Sequence, residues 1–135
     1  MSVVINYIDA ARQRDELLRE FGGLVEGVTV FAGDPSPAEL IRRVRDADIV
    51  LNGHSHDYER FARQTPSGRR SAFGIRELVV GTGGIGLHGI EALQPQSQVF
   101  SATTLGVLRL HLGDNAYAWR FMPVDGGSFS DAGSN

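Results

Sequence analysis

A short apolar run, Ile49-Val50-Leu51, opens directly into Asn52-Gly53-His54-Ser55-His56, and this junction constrains the chain more than any other segment. An apolar run of that length, rich in β-branched residues, has the character of a buried strand. The glycine after it allows a sharp turn at the strand end. In extended backbone, histidines at i and i+2 project to the same side. A strand ending in Gly-His-x-His therefore predicts an open sheet edge that offers two neutral nitrogen donors to zinc, manganese or iron. A polar turn after a strand uses the same residues without any metal, and the residues alone leave both readings standing.

The N-terminal third, residues 1–48, reads as the start of a β-α-β-α-β unit that Ile49–Leu51 completes. Val3 to Ile8 is a β-branched run of strand length. Asp9 is placed to cap a helix through Phe21, with Leu17, Leu18 and Phe21 on one face and Gly22-Gly23 ending it. Val28 to Ala32 is a second strand. Ser36-Pro37-Ala38-Glu39 is a capping box with proline at N1, opening a helix whose Leu40, Ile41 and Val44 face the core. Ile49 to Leu51 is the third strand. Short connections between alternating strands and helices favour a parallel sheet with right-handed crossovers.

Beyond Phe61 the pattern changes to mostly antiparallel strands. Ala62 to Ala72 reads as an exposed loop, with Arg69-Arg70 at a solvated tip. Arg76 to Val80 is a strand stopped by Gly81-Thr82-Gly83-Gly84, a tight turn or, on the sharper reading, an anion loop. Gly86 to Gln98 has no clear period and reads as loop, with His88 exposed in it. Leu105 to Leu112 alternates, with Leu108, Leu110 and Leu112 on one face and Arg109 and His111 on the other. Gly113-Asp114-Asn115 turns into Tyr117 to Met122, where Tyr117, Trp119 and Phe121 alternate with Ala118 and Arg120. The glycine- and serine-rich stretch 125–135 is expected to be a flexible tail. No linker divides the 135 residues, so the fold class is a single α/β domain: a βαβαβ half, then a half over 49–124.

Composition removes several function classes. A formal net charge of -3 gives no basic footprint for nucleic acid or an anionic membrane. With no cysteine, any metal must be held by His, Asp, Glu or Asn. No run of about 18 apolar residues suggests a membrane span, and the first residues lack the basic start of a signal peptide. The compartment stays open.

Five segments carry a resemblance. They are Leu51-Asn-Gly-His-Ser-His-Asp-Tyr-Glu-Arg-Phe61, Gly74-Ile-Arg-Glu-Leu-Val-Val-Gly-Thr-Gly-Gly84, Thr104-Leu-Gly-Val-Leu-Arg-Leu110, Tyr117-Ala-Trp-Arg-Phe-Met-Pro-Val124 and Phe129-Ser-Asp-Ala-Gly133. In this order, over about residues 47–132, they resemble the C-terminal part of the calcineurin-like metallophosphoesterases, especially the purple-acid-phosphatase-like branch. The resemblance implies an α/β/β/α sandwich, here in shortened form, with two transition-metal ions at the strand ends. It implies His54 as ligand to one ion and His56 to the other, with a small phosphoester as substrate. Family members are often exported. Residues 1–48 resemble instead the start of a flavodoxin-like or Rossmann-like unit.

The chain departs from the family pattern. It has no Gly-Asn-His, no Asp-x-His and no histidine before His54. Asp9 after the first strand and Asp34 after the second stand where the family places its aspartates, so Asp34 is a possible bridging ligand between two metals. As a helix cap and a turn residue, the two aspartates have equally ordinary roles. Two functions remain open at this point. One is a metal-dependent phosphoesterase with weak or lost activity; the other is a catalytically silent chimera of the two halves. The apolar hairpin 105–122 further suggests a homodimer that buries its face.

Overall fold

The computed structural model describes residues 3–7, 28–32, 36–90 and 92–135. These form a mixed α/β arrangement, mostly strands, with two sheets and one short helix. The expected helix from Asp9 to Phe21 lies outside the described residues, as do Asp9 and Asp34 themselves. No described helix is long and apolar enough to cross a membrane.

The larger sheet has six strands in the order β2-β1-β3-β5-β4-β6. Its members are β1 (Val3–Tyr7), β2 (Val28–Ala32), β3 (Ile49–Asn52), β4 (Tyr58–Phe61), β5 (Arg76–Val80) and β6 (Ser97–Ser101). β1 lies parallel to both β2 and β3, and β3 parallel to β5, whereas β4 runs antiparallel between β5 and β6. The second sheet contains β7 (Gly106–Leu112), β8 (Tyr117–Pro123) and β9 (Ala132–Ser134), all antiparallel. The helix, α1 (Pro37–Val44), starts as its sequence requires: Ser36 caps it by accepting from the Glu39 amide at 3.3 Å. The reciprocal half of the box is absent, because the Glu39 carboxylate is taken by Arg42 and Arg43 one turn on. Val44 packs beside Ala47 and Val50 as expected, but Ile41 is half exposed.

The hairpin forms with the inward face its alternation predicts. Leu108 faces Phe121, Leu110 faces Trp119 and Leu112 faces Tyr117 across β7 and β8. This apolar face lies against Ile49, Tyr58 and Leu78 of the larger sheet, so the two sheets share one core. Burying each such side chain contributes roughly 2–3 kcal/mol. The inward face of the hairpin is thus covered by its own chain.

Two expectations fail for one reason, pairing between residues distant in sequence. The stretch through Gln98 expected as loop contains the start of β6, which completes the edge beside β4. The loop after Phe61 keeps its exposed tip over residues 66–70 and folds back locally, with Gln64 bridged to Arg70 and Ile75. The expected flexible tail ends in β9, and Asn135 brackets Tyr117 through two hydrogen bonds, one to each backbone group. Gly133 is required there, since a Cβ would run into the Trp119 ring.

The tail is locked by Asp131. Its carboxylate accepts from Tyr58 at 2.7 Å, from Arg60 at 2.7 and 3.2 Å and from the Trp119 indole at 3.1 Å. Burial pushes its pKa up, but the bonds from Arg60, Tyr58 and Trp119 outweigh that and hold it below the usual carboxylate range. A depressed folded value means stability that is present above the ordinary aspartate range and lost as pH falls through the lowered value. We expect Asp131→Ala to reduce unfolding free energy in urea by about 3 kcal/mol at neutral pH, because a partly buried guanidinium loses its partner. The deficit should shrink at strongly acid pH; an unchanged urea midpoint at neutral pH would contradict this role.

Candidate functional site

The histidine segment owes its shape to β5. Because β5 occupies the slot between β3 and β4, residues 53–57 must arch over its end to connect strands about 9.5 Å apart. The arch passes so close to β5 that a Cβ on Gly81 would collide with the Ser55 carbonyl, which explains glycine at that position. Gly81 donates its amide to the Asp57 carbonyl at 2.9 Å, closing the arch onto the strand end.

The expected extended Gly-His-x-His does not form. β3 ends at Asn52, and the Ser55 amide bonds the Gly53 carbonyl at 3.0 Å around His54, whose φ is +73°. An i to i+2 bond around such a centre is a γ-turn, strained for any residue with a Cβ. The turn breaks the strand alternation that would have aligned His54 with His56. Its side chain is exposed.

His56 finds a different neighbour. Its ring stacks on His88 with centroids 4.7 Å apart and planes 27° from parallel. The His88 amide donates to the His56 carbonyl at 3.2 Å, laying the glycine-rich loop along the arch. Nδ1 of His56 lies 3.2 Å from the Gly86 carbonyl. A carbonyl only accepts, so Nδ1 carries the proton and the Nε2 lone pair is free. This is how proteins usually fix a metal-binding imidazole. His88 was legible only as an exposed loop histidine, since nothing local in sequence ties it to His56.

Several neighbours have structural roles. Thr82, fully buried, exchanges two hydrogen bonds with Gly106 and ties the two sheets together. Asp57 is buried and accepts from the Ser55 hydroxyl, bracing the arch. His111 is exposed on β7, as its position on the polar face predicts. Among the described residues, no three of His, Asp and Glu gather closely enough to hold a metal. β1, β2 and β3 are parallel and end at one edge, but Asp9 and Asp34 are not among the described residues.

The sheet face away from the hairpin carries groups that sequence reasoning missed. Asn52 donates to Glu77 across β3 and β5, and both line a cavity of about 260 Å³ with Ile41, Val44 and Val50. Glu59 is buried, with one oxygen lacking a partner. Burial raises the Glu77 pKa, the Asn52 bond pulls it back, and the Glu59 charge raises it further; the net direction is up. Strand alternation was the available signal, since both glutamates fall on the face opposite Tyr58 and Leu78.

No family model matches the chain, and no curated protein matches it.

A raised folded pKa makes stability fall as pH rises through it. We therefore expect Glu77→Gln to match the native chain in urea unfolding near pH 4 and to be the more stable of the two at neutral pH. A variant less stable at neutral pH would show that the charge is welcome there.

Proposed function

We propose that this chain is a shortened metallophosphoesterase-like domain that binds a transition-metal ion at its histidine arch and hydrolyses phosphoesters weakly or not at all. The observation that carries the reading is His56, its Nδ1 proton held by Gly86 and its free Nε2 beside the His88 ring 4.7 Å away. The five family-like segments, in order along the chain, support the scaffold. In this reading His54 supplies a further nitrogen on the arch. Asp9 and Asp34, two positions beyond the ends of β1 and β2, supply the oxygens, at the edge where sheets of this kind bind ligands.

A bound zinc, manganese or iron ion supplies Lewis acidity toward a phosphoryl oxygen. The residues of the chain fix the geometry. Gly86 holds the His56 tautomer, Asp57 and Ser55 brace the arch, and Gly81 lets the arch lie on β5. No residue of the arch is placed as a general acid for the leaving group, which is why turnover is expected to be low. The parallel start and the shortened sandwich belong to the same reading, with a small phosphoester as the substrate class.

The test has two arms. In calorimetry with Zn²⁺, His56→Ala and His88→Ala should each weaken binding by at least about tenfold, the usual cost of losing a ligand or its support. Unchanged affinity in both variants overturns the site. With Mn²⁺ or Fe²⁺ supplied, hydrolysis of p-nitrophenyl phosphate should stay near background. A robust metal-dependent rate that disappears in Asp34→Asn would instead establish a complete two-metal enzyme, and metal-free, inactive protein would establish the silent chimera.

A further inference from the structure

The far end of the sheet gathers positive charge. Arg63 follows β4, Arg76 opens β5, and the hairpin between them folds Arg70 back opposite Gln64 through a β-bridge. The Ser71 amide bonds the Arg63 carbonyl at 2.9 Å, fixing the two sides together. Arg70 is exposed, as its sequence suggests, and the bridge sets it beside Arg63. With Ser71 and Gln98, the three arginines line one cavity of about 320 Å³ that has no carboxylate in its wall.

Two of the guanidinium groups are held in place by neutral partners. Arg63 donates Nε to the Gly74 carbonyl at 2.8 Å. Arg76 donates to the Phe61 carbonyl at 2.7 Å and to Gln98 at 3.0 Å, and lies over the Trp119 ring, 5.0 Å from its centroid. Among the described residues none of the three arginines forms an ion pair, and the nearby Asp131 is committed to Arg60. The Nε of Arg76 is buried without a partner. Three cations around one cavity, two of them held in place, repel one another unless an anion sits between them. Planar guanidinium forks suit the paired oxygens of a phosphate group, and the Ser71 hydroxyl adds a donor.

We infer that this cavity is an oxyanion site for phosphate, free or as the head group of a small ester. It is separate from the histidine arch: Arg76 begins β5 and Gly81 follows its end, roughly 16 Å away along the strand. The inference does not rest on metal binding at the arch.

The test is a titration of the full-length, chelator-treated chain with inorganic phosphate and, separately, glycerol 3-phosphate, followed through arginine Nε–H resonances. Saturable binding with shifts at Arg63 and Arg76 is expected, and tighter binding of the ester identifies the head group as the ligand. Arg70→Gln and Arg63→Gln should each weaken binding about tenfold, the cost of a charge-assisted contact. Arg70 is exposed, so its variant keeps the fold, which an unchanged urea midpoint verifies. The double variant His54→Ala, His56→Ala should bind as the native chain does. No saturation in the millimolar range, or native affinity in both arginine variants, overturns the site.

Discussion

The Asp131 carboxylate joins the two sheets. It collects Tyr58 and Arg60 from β4 and the Trp119 indole from β8, while its own chain continues into β9. One side chain thereby fixes the sheet-to-sheet distance, the register of the last strand and the position of Trp119. Arg60 and Arg76 both stack on that indole, at 5.5 and 5.0 Å, so the cationic end of the larger sheet depends on the same anchor. The Tyr58 phenol, pushed up by burial and by Asp131, stays protonated and donates throughout the ordinary pH range.

The arch follows from strand order. Because β5 inserts between β3 and β4, the histidine segment has to cross over it, and the crossing imposes both the γ-turn at His54 and the close approach at Gly81. The arch is braced by Asp57 through Ser55 and Gly81, and by the loop carrying His88 through His56. The stacking of His56 on His88 is thus a product of sheet topology rather than of the Gly-His-x-His spacing.

What the sequence made legible was local. The alternation of Leu108, Leu110 and Leu112 with Tyr117, Trp119 and Phe121 specified a hairpin and its inward face. Ser36 and Pro37 specified the start of a helix, and Ile49 to Leu51 a buried strand. What stayed hidden was set by distant pairing: β6 beside β4, β9 on β8, His88 on His56. The glycines and serines of 125–135 looked like a fraying tail because the residue that orders them, Asp131, acts on partners up to 73 positions away. Asp9 and Asp34 were legible as strand-end carboxylates, and they lie outside the described residues.

The central claim is that the arch binds metal through His56 and His88. Histidine ring ¹H–¹⁵N correlation spectra recorded during a Zn²⁺ titration test it most directly. Without metal, the His56 ring should show its proton on Nδ1, and on adding Zn²⁺ the Nε2 resonances of His56 and His88 should shift together while His111 stays unchanged. An Nε2-protonated His56, or shifts confined to His111, would contradict the account.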